Sequence, residues 1–237
     1  WVYMTHIMNQ TQTIALASGS IILPLRHPVH TAKSIASLQA LSGGRMIMGI
    51  ASGDRPIEYP AFAQDIHNRT ELFQDSFHYL KALSGDFPNY QSKHFGQVYG
   101  NIDLLPKHEH QTSYLVTGHS GQSLEWIAEH ADGWLYYPRD FKTLPMVMER
   151  WKRALSETEQ PWKPFAQSLY VDLLKDSTAK PEPIHLGFKA GMDYTLAHLK
   201  LLESYGVNHV ILNLKFSSRS VETVMEEFGE WVLPHFQ

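Results

Sequence analysis

A seven-residue segment, Thr117 to Ser123, combines glycines with hydroxyl side chains between a predicted strand and a predicted helix. The first N–H groups of a helix lack intrahelical partners, and the helix dipole favours an anion at this end. Gly118 allows a ligand to approach the backbone, and Ser120 and Ser123 add hydroxyl donors. The segment is therefore a candidate anion site. The alternative is plain capping of the helix by Ser120, which needs no ligand.

A second group of small and polar residues, Ser52-Gly53-Asp54, follows the apolar run from Met46 to Ala51. Such a run is typical of a strand in a parallel sheet that helices cover. Ligands of α/β barrels bind at the carboxyl ends of the strands, so this group is a candidate binding site. The alternative is that Asp54 only caps a turn.

Three further residues with candidate catalytic roles follow other predicted strands. Arg26 and His27 follow the apolar residues 21–25, and Tyr137 ends a predicted strand. An arginine suits an anionic group, and a histidine suits proton transfer near neutral pH. His27 precedes Pro28, so a structural role at the start of the next helix is the alternative. Tyr137 is a candidate for lining the same site.

One short motif suggests a metal site, His108-Glu109-His110. It lies in a polar segment beside Lys107 rather than at the end of a predicted strand. The chain has 14 histidines, so one His-x-His pair is expected by chance. We therefore predict no metal site.

Composition places the chain among folded enzymes and binding proteins. Its 237 residues suffice for one α/β barrel or two small domains, and 43% are hydrophobic and 19% charged. A net charge of −4 without any basic run argues against a nucleic acid or a membrane surface as partner. The absence of cysteine excludes disulfides and thiol catalysis, and it fits a reducing compartment such as the cytoplasm. No stretch reaches the ~18 apolar residues of a membrane span.

Hydrophobic periodicity predicts six strands that alternate with about seven helices. The predicted strands are residues 13–25, 46–51, 113–117, 133–137, 165–174 and 209–214. The predicted helices are residues 1–12, 31–41, 68–83, 124–131, 144–155, 194–205 and 220–232. Asn68 and Glu71 predict a capping box, and residues 85–111 and 175–187 are excursions without a sustained period. This alternation predicts a parallel sheet, either open or closed into a barrel.

Several motifs resemble, in order and spacing, those of bacterial-luciferase-like flavin-dependent oxidoreductases. They are Ile21-Ile22-Leu23-Pro24, His27-Pro28, Leu41-Ser42-Gly43-Gly44-Arg45, Gly49-Ile50-Ala51-Ser52-Gly53, Thr117-Gly118-His119-Ser120, Glu125-Trp126 and Ala131-Asp132-Gly133-Trp134. The resemblance extends over essentially the whole chain. It implies a (β/α)8 TIM barrel of the luciferase-like type.

Aligned to that family, residues 1–237 would form a single domain that runs from the second helix to the eighth. The first two strands would then be missing from this chain. At roughly 30–40 residues per βα unit, on the order of 80 residues would precede Trp1 in the intact protein. A six-stranded remnant would leave two parallel edges exposed, so we expect the intact protein to contain the missing strands.

The resemblance also implies a flavin site at the ends of the strands. The implied cofactor-binding residues are Gly19, Ser20, Ser52, Gly53, Asp54, Thr117, Gly118, His119, Ser120 and Ser123. Ser52 stands where relatives place a basic residue, and Arg55 is the candidate for the missing positive charge. The Gly19–Ser20 bond aligns with a cis peptide of the family, although an ordinary trans bond remains the alternative.

The implied function is a bacterial, cytoplasmic monooxygenase that uses reduced FMN and O2 on a small organic substrate. F420-dependent hydride transfer and flavin binding without catalysis are the alternatives. A metal-dependent hydrolase on the same fold would need a set of strand-end ligands that the sequence does not provide. A separate flavin reductase and a homodimer are the implied partners.

Overall fold

The computed structural model describes residues 1–107 and 109–236, and strands alternate with helices along them. The helices are α1 (Val2–Gln10), α2 (Pro28–Ser42), α3 (Arg69–Leu83), α4 (Leu124–His130), α5 (Leu144–Glu157), α6 (Met192–Ser204) and α7 (Val221–Trp231). The strands are β1 (Leu16–Ala17), β2 (Ile21–Ile22), β3 (Met46–Ala51), β4 (Asn89–Gln91), β5 (Gln97–Tyr99), β6 (Ser113–Thr117), β7 (Gly133–Tyr136), β8 (Phe165–Leu173), β9 (Glu182–Ile184), β10 (Gly187–Ala190) and β11 (His209–Asn213). None of these helices is both long and apolar enough to cross a membrane.

The chain divides into two compact units, Trp1–Gly133 and Trp134–Gln237. In the first unit, β3 is parallel to β1 and β2 along one edge and to β6 along the other. The apolar run of β3 explains this central place, because Met46, Met48 and Ile50 are all buried. The division does not test whether the chain is a single domain, which stays a prediction.

The prediction of one strand over residues 13–25 was wrong. Two short strands, β1 and β2, replace it, and the Gly19–Ser20 peptide bond between them is cis. The carbonyl oxygen of Ser18 lies so close to Gly49 that a β-carbon there would be 2.0 Å away. The remaining residues, Leu23–Leu25, form a 3-10 helix with Pro24 in its first turn. Proline has no N–H for a strand ladder, which explains why β2 ends before it.

The predicted capping box at the start of α3 was also wrong. The side chain of Asn68 makes no capping hydrogen bond, because α3 continues directly from a 3-10 helix, Ile66–Asn68. Asp65 caps that shorter helix instead, through a hydrogen bond from His67 N to Oδ1 of 2.9 Å. Glu71 forms an ion pair with Lys93 rather than reaching back to Asn68.

The excursion at residues 85–111 contains an antiparallel hairpin, β4–β5, that the sequence pattern missed. Asp75 on α3 holds it, accepting hydrogen bonds from Ser92 Oγ at 2.7 Å and His94 N at 2.8 Å. His108 of the His-x-His motif lies outside the described residues. Among the residues that are described, no group of three or more His, Asp or Glu side chains is placed to hold a metal ion.

Arg45 joins the two helices that precede β3. Its guanidinium donates to the carbonyl oxygens of Ser42 at 2.8 Å and Ile14 at 2.8 Å. It also donates to the carbonyl oxygens of Met8 at 3.0 Å and Thr11 at 3.1 Å, and to Thr11 Oγ1 at 3.1 Å. Five donors in a fixed planar group are needed for this arrangement, and only arginine supplies them.

Arg45→Lys should lower the free energy of unfolding by about 2–3 kcal/mol, because one ammonium cannot replace five directed hydrogen bonds. The matched control is Arg153→Lys, since Arg153 is exposed and its Nε lies 3.9 Å from Glu157 Oε1. That change should stay within about 0.5 kcal/mol. Urea unfolding measures both variants, and equal losses would contradict a structural role specific to Arg45.

In the second unit, β8 is the central strand. β7 and β10 both pair with it along one edge, and β11 pairs along the other. Trp151 on α5 packs against Trp134 of β7 with 5.5 Å between ring centroids, so this face of the sheet is covered by helices. The excursion at residues 175–187 includes β9 and the start of β10. It was read as irregular because both strands are short and Pro181 and Pro183 interrupt the pattern.

Candidate cofactor site

The loops after β3 and β6 lie side by side because these strands are parallel neighbours. The backbone N–H of Ser52 donates to Ser120 Oγ at 3.1 Å, and Ser120 Oγ donates to the carbonyl oxygen of Thr117 at 2.9 Å. Ser52 and Ser120 are 5% and 8% exposed, so this hydroxyl joins two loops away from solvent. Three residues predicted for the site are therefore brought together, and the hydroxyl of Ser120 is already engaged within the protein.

The buried side chain of Tyr59 holds the loop after β3. Tyr59 Oη donates to the carbonyl oxygen of Ser52, and the tyrosine is 1% exposed. Burial raises the pKa of Tyr59, and the positive charge of Arg69 opposes that rise. The carboxylates of Asp54 and Glu58 raise this pKa further, so the phenol stays protonated as a donor.

The side chain of Gln122 joins the loop after β6 to the start of α3 by hydrogen bonds. Its Nε2 donates to the carbonyl oxygens of Thr70 and Ser120, both at 3.1 Å, and its Oε1 accepts from Gln74 Nε2 at 2.5 Å. Gly121 beside it has a φ of +76°, and a β-carbon there would lie 2.3 Å from Thr70 Oγ1. The loop is therefore held in place before any ligand arrives, which reduces the entropy cost of binding.

The backbone of this loop is left-handed at three of its residues. The φ angles are +60° at Gly118, +49° at Ser120 and +76° at Gly121. Successive backbone N–H groups in a turn can line a concave site for an anion. The sequence predicted an anion site here from the glycines, and this backbone conformation is compatible with it.

Two hydroxyl groups form a pair at the ends of β6 and of the β1–β2 connection. Ser20 Oγ and Thr117 Oγ1 are 2.5 Å apart, and both residues are partly exposed. The two hydroxyls carry two hydrogen atoms, and their mutual hydrogen bond uses one. Within the described chain neither side chain has another hydrogen-bond partner. One hydroxyl hydrogen is therefore available to an acceptor on a ligand.

Capping of α4 falls to Ser123 rather than to Ser120. Ser123 Oγ accepts from Trp126 N at 3.1 Å, which is the standard N-cap hydrogen bond. The alternative interpretation, that Ser120 caps the helix, was therefore wrong. The oxygen of the Ser123 hydroxyl therefore serves the helix, whereas the Ser120 hydroxyl accepts from Ser52 N and donates to the carbonyl oxygen of Thr117.

Three basic residues were candidates for the site, two near the start of α2 and one after β3. His27 caps α2, with its Nδ1 accepting from Val29 N at 3.3 Å. Arg26 is exposed, and its guanidinium makes no hydrogen bond or ion pair with the part of the chain that is described. Arg55 is exposed as well and pairs with Glu58 at 3.3 Å, so its charge is shared with a carboxylate.

The remaining predicted residues differ in their surroundings. Asp54 and His119 are exposed at the two loops, and Gly53 has a φ of +80°. Tyr137 belongs to the second unit and is 43% exposed. Sequence reasoning missed Tyr59 and Gln122, which hold the loops, and Arg69, whose charge acts on Tyr59. Of the three, only Gln122 could have been found from the sequence, because it lies in the same segment as Ser120 and Gly121.

Comparison with known proteins assigns the family. The profile of the luciferase-like monooxygenase family matches residues 1–179. The chain belongs to the luciferase-like monooxygenase family. This luciferase-like protein is 30% identical over 145 residues to an uncharacterized protein of Mycobacterium tuberculosis. That match covers 59% of this chain and 50% of the relative, so the chain spans about half the length of the curated relatives of that group.

Solved structures show the fold of this luciferase-like protein. A monooxygenase from Streptomyces bottropensis superposes with a TM-score of 0.83 at 15% identity, covering 100% of this chain and 82% of that one. An F420-dependent secondary alcohol dehydrogenase, solved with an F420–acetone adduct, gives 0.83 at 13% identity, covering 100% and 84%. The predicted α/β fold of the luciferase-like TIM-barrel class is confirmed. At these identities the likeness extends to the fold alone.

Proposed function

We propose that this chain belongs to a flavin-dependent monooxygenase that uses reduced FMN and O2 to oxidise a small organic substrate. The observation that carries the proposal is the loop pair joined by Ser52 and Ser120 at the strand ends of a luciferase-like fold. When bound, the reduced flavin supplies the electrons for oxygen activation. A homodimer, a separate flavin reductase and a cytoplasmic location belong to the same proposal.

The residues present fit a phosphorylated flavin. The left-handed loop from Gly118 to Gly121 would hold the phosphate through its N–H groups, with the charge of Arg69 nearby. The Ser20–Thr117 hydroxyl pair would donate its available hydrogen to a polar edge of the ring system. Neither role uses the hydroxyls of Ser120 and Ser123, because both already have protein partners.

F420 is the alternative cofactor. The F420-dependent dehydrogenase superposes on this chain as well as the monooxygenase does. The fold therefore does not separate the two cofactors. In that case the protein would position a substrate for hydride transfer, and O2 would have no part in the reaction.

The test compares the binding of reduced FMN and of F420 to the intact protein under anaerobic conditions, followed by oxygen uptake. Tight FMN binding with oxygen uptake that requires an organic substrate supports the monooxygenase. Preference for F420 without oxygen uptake supports hydride transfer. Flavin binding with no turnover of any substrate would leave a flavin-binding protein without catalysis, and this outcome contradicts the proposal.

Arg69→Gln should weaken binding of reduced FMN about tenfold, or ~1.4 kcal/mol, because it removes the positive charge that acts on Tyr59 beside the Ser52 loop. The matched control is Arg55→Gln, whose exposed arginine already pairs with Glu58. Fluorescence titration measures both variants, with reduced riboflavin as the ligand that lacks a phosphate. An equal loss with riboflavin would show that Arg69 does not act through the phosphate.

A further inference from the structure

A cavity of about 500 Å3 lies within the second unit, where two strands succeed each other along one edge of β8. β7 ends with Tyr136 opposite Gln167, and β10 begins with Gly187 opposite Tyr170. Between these two pairings, this edge of β8 has no partner strand among the described residues. The cavity lies on the face of the sheet that α6 covers, where Phe188 of β10 contacts His198 of α6. Its volume is within the range of small-molecule sites.

Two buried polar atoms on its lining have no hydrogen-bond partner among the described residues. They are Oε1 of Gln167 and Nδ1 of His198. Gln167 is only 1% exposed, although it sits in the interior of β8 where an apolar residue would pack as well. Native structures rarely leave such atoms unpaired, since their desolvation is not compensated. Two of them on one cavity indicate a ligand that supplies the missing partner.

The other walls of the cavity are aromatic. The imidazole of His198 lies 4.8 Å from the ring of Phe141, 4.7 Å from Phe188 and 5.7 Å from Tyr194, measured between centroids. Burial lowers the pKa of His198 to about 4, so this ring is neutral at pH 7. Aromatic walls of this kind favour a planar apolar ring.

The charged residues on the lining are already satisfied. Arg139 stacks on Tyr136 at 4.6 Å and donates to its hydroxyl at 2.9 Å. Asp140 accepts hydrogen bonds from the backbone N–H groups of Lys142 and Thr143, both at 2.9 Å. Neither group is therefore directed at a ligand of opposite charge. The chemistry that remains on offer is apolar contact with one or two hydrogen-bond acceptors.

We propose that this cavity binds a small neutral aromatic compound that carries a hydroxyl group, and that the hydroxyl pairs with Gln167 or His198. Every residue that lines this cavity lies in the second unit. It is a binding site and not a second catalytic centre. The aromatic ring would pack against Phe141, Phe188 and Tyr194.

The test is an NMR titration of the full chain with phenol, and with toluene as a probe of the same size that lacks the hydroxyl. Phenol should bind at least fivefold more tightly than toluene and shift the resonances of Phe141, Phe188 and Tyr194. Equal affinities, or shifts confined to other parts of the protein, would overturn the proposal.

Gln167→Leu should abolish the preference for phenol over toluene while leaving the urea midpoint unchanged or raised, because the variant removes an unpaired buried amide oxygen. A purely structural glutamine would instead lower the midpoint. His198→Phe provides an independent second variant and should reduce the preference at least twofold. Retention of the full preference in both variants would overturn the assignment of the hydroxyl.

Discussion

Gly49→Ala should lower the free energy of unfolding by about 3 kcal/mol or more, with a fall in Tm on the order of 6–12 °C. A β-carbon at this position would lie 2.0 Å from the carbonyl oxygen of Ser18, and that oxygen belongs to the backbone. The strand cannot shift freely either, because Ser18 Oγ donates to the carbonyl oxygen of Gly49 at 2.9 Å. Either the β1–β2 connection or the register of β3 must give way.

Thermal unfolding followed by circular dichroism measures this effect. The control is Gly229→Ala in α7, where an added β-carbon has no neighbour within 4 Å. This helical substitution should stabilise the protein by about 0.5–1 kcal/mol. If Gly49→Ala unfolded at the wild-type temperature, the close approach of Ser18 to β3 would be wrong. Gly49→Ala should also weaken binding of reduced FMN, because Ser20 belongs to the β1–β2 connection that the added β-carbon would displace.

Ser120→Ala should cost about 1–3 kcal/mol of stability and weaken binding of reduced FMN at least tenfold, or ~1.4 kcal/mol. The variant leaves the buried N–H of Ser52 without an acceptor and the carbonyl oxygen of Thr117 without this donor. The two loops are then no longer held together. The effect on the cofactor is therefore indirect, since the hydroxyl positions the loops.

Two further variants separate the contributions to this effect. Ser120→Gly also lacks the hydroxyl, but glycine suits the φ of +49°, so it should recover up to about 1 kcal/mol of stability without recovering affinity. Ser123→Ala removes only the cap of α4 and should cost about 1 kcal/mol with little change in affinity. Urea unfolding and anaerobic flavin titration measure both quantities. Wild-type affinity in Ser120→Ala would disprove the positioning role.

The alternation of strands and helices was predictable because apolar runs and amphipathic helices differ in period. β3 and β6 were located from these runs, and their parallel pairing brought Ser52, Thr117 and Ser120 together as expected. The break between β1 and β2 was not predictable. It depends on contact with Gly49, which lies about 30 residues further along the chain. β10 was missed because four residues carry too little periodicity to identify a strand.

The polar residues of the site were harder to predict than its backbone. Ser120 and Ser123 were both read as donors to a ligand, but each satisfies a protein group that depends on tertiary contacts. Arg69 and Gln122 resemble solvent-facing residues in the sequence, because nothing local shows that α3 meets the second loop. Arg55 is a candidate for the positive charge because it is close in sequence to Ser52, and its pairing with the carboxylate of Glu58 could not be predicted from the sequence.

The hydrogen bond from Ser52 N to Ser120 Oγ also has a consequence for the timing of ligand access. Ser52 lies one residue beyond β3, where an amide hydrogen would ordinarily exchange quickly with solvent. Here exchange requires the two loops to separate, so its rate reports how often they do. If a bound cofactor holds the loops together, the same amide should exchange more slowly when the protein is loaded. The exchange rate of this one amide hydrogen therefore measures how often the site opens.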